Sequence, residues 1–247
     1  MKSGVAGVSS GAVPASRLLV AAVAVLMTSG CAGSRPGPAE RRAPPDHAFR
    51  DCPHCPVMVM IPAGSFLMGS PETEEGREGD EGPQREITVR APFAIGVYEV
   101  TFEEWDACVS DGGCDGYRPP DWWGRGRQPV TEVSWRDARA YVEWLSKETG
   151  LSYSLPNEAQ REYAARAGTR TARYWGESAE EQCRYANGFD RVLARTNRNG
   201  LAMFEEYGLT FPRCADGQGD GTAPVGSYEP NAFGLHDMIG NLTFPAT

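Results

Sequence analysis

The run Gly234-Leu235-His236-Asp237-Met238-Ile239-Gly240-Asn241 decides how this chain is read, and six residues, Leu242 to Thr247, follow it. It stands near the end of 247 residues with 40% hydrophobic and 10% aromatic side chains, enough to bury a core and to exclude disorder throughout. The net charge is -9, and Lys and Arg are not clustered, so the footprint that phosphate binding requires is missing. Nucleic acid is thereby excluded as a partner.

GLHDMIGN resembles the signature GL(Y/H)DM(V/H/I)GNVWEW of the formylglycine-generating enzyme family, also called the sulfatase-modifying factor domain. Five further segments agree with that family in its own order: VMIPAGSFLMGS (Val59 to Ser70), YEVTFEEW (Tyr98 to Trp105), PVTEVSWRDARAYVEWLS (Pro129 to Ser146), LPNEAQREYAARAG (Leu155 to Gly168) and TAPVGSYEPNAFGLHDM (Thr222 to Met238). The resemblance implies an α+β domain related to the C-type lectin fold, with little regular secondary structure. It also implies that the C-terminal part of that domain is missing from this sequence, which ends LTFPAT where the family continues.

Local patterns agree with such a fold. Val57, Val59 and Ile61 alternate ahead of Pro62-Ala63-Gly64, and Ile87 with Val89 ahead of Pro92, which predicts two short strands. The acid-rich stretch Glu72 to Glu81 between them reads as a solvated loop. Thr101 with Glu104, Ser134 with Asp137 and Asn157 with Gln160 form capping-box patterns, so three helices are predicted. The second is expected to pack Trp135, Ala138, Tyr141 and Leu145 into the core and to end at Gly150, and the third to end at Gly168. From Gly176 onward no long periodic segment is found, and mostly loops are expected.

Lys2 and Arg17 precede an apolar stretch, Leu18 to Met27, too short to span a bilayer, which reads as a secretory signal. Its Gly30-Cys31 ending resembles a bacterial lipobox, in which Cys31 would carry the lipid. Ordinary cleavage and release is the alternative, because Thr28 stands where lipoboxes usually have Leu. The domain boundaries that follow are a signal over 1-31, a Pro-rich tether over 32-55, an incomplete domain over 56-242 and a tail over 243-247. The expected location is the bacterial cell envelope, lipid-anchored and facing the periplasm or exterior. In that oxidising compartment Cys52, Cys55, Cys108, Cys114, Cys183 and Cys214 are disulfide candidates. Sequence leaves the pairing open; Cys108 with Cys114, Cys183 with Cys214 and Cys52 with Cys55 are the expected pairs.

The resembled enzymes oxidise a sulfatase cysteine to an aldehyde with oxygen and a Cu(I) ion held by two thiolates, soft ligands for a soft ion. In the family that pair lies beyond GNVWEW, so no catalytic residue and no copper ligand is assigned here. Calcium is the second implied cofactor, at two places. One would use the Asp237 carboxylate with the Gly240 and Leu242 carbonyls, although Phe244 stands where the family has an acidic ligand. The other would use Asn187, the Gly188 carbonyl and Asp216 or Asp220, which read equally well as Gly-rich turn residues.

Cys52-Pro53-His54-Cys55 resembles the redox motif of periplasmic thiol oxidants, yet it precedes a strand rather than opening a helix, so a local disulfide is the favoured reading. His47, His54 and His236 are too scattered for a triad or a three-histidine iron site, and His236 is expected to pack. In the third helix Arg161 stands where the family has Trp, a change that would cost several kcal/mol were the site buried. Taken together the sequence predicts an exported family protein that is not itself catalytic. The rivals are an active enzyme acting on sulfatase cysteine and a lectin-like lipoprotein binding a protein or peptide.

Overall fold

A computed structural model describes residues 44–74, 77–206 and 210–241. Cys31, the signal, residues 32–43 of the tether, Leu242 and the tail over 243–247 lie outside the described residues.

Strand β1 (Met58–Ile61) pairs antiparallel with β4 (Phe93–Gly96), and β2 (Gly64–Met68) pairs antiparallel with β3 (Arg85–Val89). The sheets are thus two separate ladders of two strands each. In β1 the period of two is plain, since Val59 and Ile61 are fully buried while Met60 between them is exposed. Alternation found β1 and β3; their partners β2 and β4 were not predicted.

Helices α1 (Phe102–Ser110), α2 (Trp135–Thr149) and α3 (Glu158–Arg166) begin at Thr101, Ser134 and Asn157, and all three capping boxes are formed. At α1 the Glu104 amide donates to Thr101 Oγ1 at 3.2 Å, and the Glu104 carboxylate accepts the Thr101 amide at 2.9 Å. Gly150 ends α2 in the left-handed region at φ 71°. Ala167 rather than Gly168 is the cap of α3, at φ 47°.

Two hydrophobic clusters hold the domain. One joins the strands to α3 and to the deciding run through Val59, Ile61, Phe66, Val97, Tyr163, Ala164 and Leu235. The other lies between α1 and α2, where the Trp105 and Tyr141 rings stack at 5.7 Å. Gly113 has to be glycine there, since a Cβ would stand 2.7 Å from the Trp144 ring and 2.8 Å from Cys108 Sγ.

The expected core face of α2 needs one correction. Trp135 is 68% exposed, with the Arg139 guanidinium 5.1 Å above its ring, whereas Tyr141, Trp144 and Leu145 are buried. At about 100° per residue Trp135 lies roughly 120° around the helix from the mean of those three, so it cannot share their face. Trp144, absent from the predicted face, donates its indole N–H to Asp111 Oδ2 at 2.9 Å.

Arg161 is likewise not a core residue. By surface area it is exposed and it donates to the Met238 carbonyl at 2.9 Å, although its guanidinium still loses solvation, which lowers its pKa, with the Glu99 charge opposing. The C-terminal half also contains more helix than expected: α4 (Gln182–Tyr185), α5 (Leu193–Thr196) and the nine-residue α6 (Arg198–Glu206). Asn197 Oδ1 accepts the Gly200 amide at 2.8 Å at the start of α6, and Phe204 stacks on Phe189 at 4.4 Å. A start signal of that kind inside a Gly- and Asn-rich stretch reads as a turn until the aromatic contact is known.

All three expected disulfides are present, closing 3, 6 and 31 residues for Cys52–Cys55, Cys108–Cys114 and Cys183–Cys214. In the chain-entropy account these loops contribute about 1.5, 2 and 3.5 kcal/mol. Among the described residues no helix is long and apolar enough to cross a membrane.

Candidate functional site

The deciding run feeds a buried polar centre whose hub is Asn241, 3% exposed. Its Nδ2 donates to Glu99 Oε2 and to the Ala223 carbonyl, both at 2.9 Å. Its Oδ1 accepts the Ala223 amide at 2.8 Å and Asn187 Nδ2 at 3.3 Å. One carboxamide therefore joins the segment after β4, the loop after α4 and the loop before the run. Asn187 extends the network, with Nδ2 donating to the Gly221 carbonyl at 2.8 Å and its amide to the Gly240 carbonyl at 3.3 Å.

Asp237 is the second anchor. It is 5% exposed, sits at φ 58° and accepts the Gly226 amide on Oδ2 at 2.9 Å, while its buried Oδ1 has no hydrogen-bond partner. Burial pushes its carboxyl up to about 6, against the pull of the Gly226 bond and the Arg127 guanidinium. Glu99 is pushed up to about 8, first by burial and then by the Asp237 charge, with the Asn241 bond and Arg161 opposing. At neutral pH Glu99 is therefore mostly protonated.

His236, next to Asp237 in the chain, is 2% exposed; its Nδ1 lies 2.8 Å from the Tyr228 carbonyl and its ring 5.0 Å from that of Tyr98. The buried Asp190 was not foreseen in the sequence. Its Oδ1 accepts the Val192 and Leu193 amides, each at 2.8 Å, and its Oδ2 accepts the Asp216 amide at 2.9 Å. An Asp two and three residues ahead of a short helix is a capping signal that could have found it.

The two calcium sites that the resemblance implies differ in how these residues fit them. Asp216 accepts the Gln218 amide at 2.9 Å and the Gly188 amide, and the Tyr228 hydroxyl stands 3.4 Å from its Oδ2. The Asn187 carboxamide turns its nitrogen to Gly221 and Asn241, and Asp220 is exposed and enters none of these bonds. Donors already approach the Asp216 oxygens, and Asp220 stands outside this network. The Asp237 place fits better, because Oδ1 is a buried oxygen lacking a donor, although the Gly240 carbonyl already accepts the Asn187 amide. Among the described residues no group of three or more His, Cys, Asp or Glu could hold a metal ion. All six cysteines there are disulfide-bonded, so none presents a thiolate to copper.

Beside the centre, the loop between α1 and α2 presents aromatic surface. Trp122 is 65% and Trp123 40% exposed, their rings meeting edge to face at 6.0 Å. Arg125 pins this loop by donating to both Asp106 oxygens, at 2.5 and 3.2 Å, while its guanidinium lies 4.5 Å above the Phe102 ring.

An α+β domain with few strands, closed by an Asn-centred polar network and three disulfides, is the class that these observations define. The family profile described as "Sulfatase-modifying factor enzyme 1-like domain" matches residues 45–243, and the chain belongs to that family. It is 30% identical over 232 residues to the formylglycine-generating enzyme of Thermomonospora curvata, covering 75% of this chain and 69% of that one. It is 31% identical over 234 residues to the inactive C-alpha-formylglycine-generating enzyme 2 of Bos taurus, covering 75% and 68%. Among solved structures it resembles PvdO from Pseudomonas aeruginosa with a TM-score of 0.62 and 35% identity, over 81% of this chain and 73% of that one.

Proposed function

We propose that this chain is an exported sulfatase-modifying-factor protein that binds a polypeptide and does not itself oxidise cysteine. The observation that supports the reading is the state of the cysteines among the described residues: all six are in disulfides, so none of these six is one of the two free thiolates that the Cu(I) chemistry of the family needs. A relative named as inactive, at 31% identity, stands beside one named formylglycine-generating enzyme at 30%, so the family includes proteins of the non-catalytic kind. A loop-rich scaffold of the kind the family resemblance implies, with Trp122 and Trp123 exposed on a loop that Arg125 ties to Asp106, supports binding. Three disulfides support an oxidising compartment, with Cys31 as the lipid-bearing residue at the envelope. Calcium, where it binds, uses Asp237.

The test incubates the purified chain, copper-loaded and aerated, with a sulfatase peptide carrying the cysteine to be modified. Binding measured by fluorescence anisotropy without aldehyde by mass spectrometry is the expected result. Aldehyde on the peptide would overturn the reading in favour of an active enzyme. Loss of radiolabelled palmitate incorporation on Cys31→Ser tests the anchor.

A further inference from the structure

The Cys52–Cys55 disulfide differs from the other two in loop length and in the inequality of its two sulfurs, since Cys108 and Cys114 are both buried and Cys183 and Cys214 are both partly buried. It closes three residues, so it constrains the unfolded chain least. Its two sulfurs are unequal: Cys55 is fully buried in the α1–α2 cluster, whereas Cys52 is only partly buried at its edge. Pro53 and His54, the residues inside the ring, form one wall of a cavity of about 100 Å³ whose other walls include Arg50, Tyr98 and Arg127.

That cavity is lined by charges of both signs, Arg50 and Arg127 with Glu103 and Glu104. Arg127 donates to the Val225 carbonyl at 2.9 Å, its buried Nε has no acceptor, and no carboxylate among the described residues lies within ion-pair distance of it. Arg50 donates to the Cys55 carbonyl and lies 3.7 Å from Glu104, whose carboxylate is already committed to Thr101. The remaining lining acid, Glu103, is exposed to solvent. Asp51, next to the bond, accepts the Tyr153 hydroxyl.

We propose that Cys52–Cys55 is a thiol-exchange site for a small thiol that carries carboxylates, of which glutathione is the probe, seated by Arg50, His54 and Arg127. The thiolate of the first molecule attacks Cys52 Sγ. The Cys52–Cys55 bond breaks, Cys55 leaves with the electron pair and takes up the proton that the incoming thiol lost, and a mixed disulfide remains on Cys52. A second thiolate attacks the sulfur of the bound small molecule, releasing its disulfide and leaving Cys52 as a thiol. Two thiols are oxidised to one disulfide, and the protein disulfide is reduced to two thiols. The Arg50 guanidinium, two residues before Cys52 and bonded to the Cys55 carbonyl, favours the thiolate forms through which both steps pass.

The experiment titrates the whole chain with reduced and oxidised glutathione at pH 7, traps thiols with N-ethylmaleimide and maps each cysteine by mass spectrometry. The expected result is that Cys52 and Cys55 open at least tenfold faster than the other two pairs, with a glutathione adduct on Cys52 as the intermediate. A second readout is the ratio of the opening rate by glutathione to that by the neutral β-mercaptoethanol, expected to fall at least fivefold in His54→Ala and in Arg50→Gln. The proposal is overturned if Cys52–Cys55 opens no faster than Cys108–Cys114, if the adduct forms on another cysteine, or if the ratio is unchanged in both variants.

Discussion

Glu99→Gln should make the stability of this domain less sensitive to pH. The Glu99 carboxyl is pushed up from 4.5 to about 8, chiefly by burial and then by Asp237. For an acid whose pKa is higher in the folded than in the unfolded state, the protonated fold is favoured. That contribution is complete below the unfolded pKa and is lost as pH rises through the folded one. Between pH 5 and pH 9 the loss integrates to about 4 kcal/mol, at about 1.4 kcal/mol per unit. A carboxamide is neutral throughout and still offers an oxygen to Asn241 Nδ2, which now lies 2.9 Å from Glu99 Oε2. Urea midpoints followed by tryptophan fluorescence at pH 5, 7 and 9, in EDTA so that no cation intervenes, measure both proteins. The parent should lose several kcal/mol more than Glu99→Gln across that range, and the two should lie within about 1 kcal/mol of each other at pH 5. Equal losses in both, or a parent midpoint that rises with pH, would refute the reasoning.

Asn241→Ala removes a side chain that makes four hydrogen bonds in a buried site and leaves Glu99 and the Ala223 backbone unpaired. It should cost about 3 kcal/mol or more by urea denaturation, and a change below about 1 kcal/mol would remove Asn241 as the hub. Trp135→Ala, at a residue 68% exposed, should shift the same midpoint by no more than about 0.5 kcal/mol. A loss of about 3 kcal/mol, the cost of deleting a core aromatic, would contradict its surface position. Replacing Cys183 and Cys214 together by Ser opens a 31-residue loop and should cost about 2 kcal/mol more than the same change at Cys52 and Cys55. Equal costs would show that native-state contacts, not chain entropy, set the contribution of these bonds.

The parts of this fold that were legible in the sequence are those whose signal is local. A capping box is complete within four residues, and all three predicted boxes formed at Thr101, Ser134 and Asn157. The alternation around Val59 reports burial on one side of a strand without reference to the partner. Failures came where a distant contact decides. The hydrophobicity of Trp135 suggested core, but the position of α1 determines which face of α2 is buried. Helix α6 starts with Arg198-Asn199-Gly200, a turn-like opening, and its Phe204 finds its partner in Phe189 outside the helix.

The centre itself shows why a short motif can be conspicuous while its physical meaning stays hidden. Gly240 and Asn241 stand together because each does what the other cannot. A Cβ on residue 240 would run into the Asn187 carbonyl oxygen, so only glycine lets the chain come close enough for the Asn187 amide to reach the Gly240 carbonyl. The residue after it then lies among a carboxyl, a backbone amide and a backbone carbonyl, and needs both a donor and an acceptor on one short side chain, which Asn supplies. Its partners are Glu99, Ala223 and Asn187, which are 142, 18 and 54 residues away in the chain. No local pattern encodes those separations. Asp is acceptor-only when ionised, so Asn241→Asp would lose both donated bonds and set a third carboxylate beside Glu99 and Asp237, at a higher cost than Asn241→Ala.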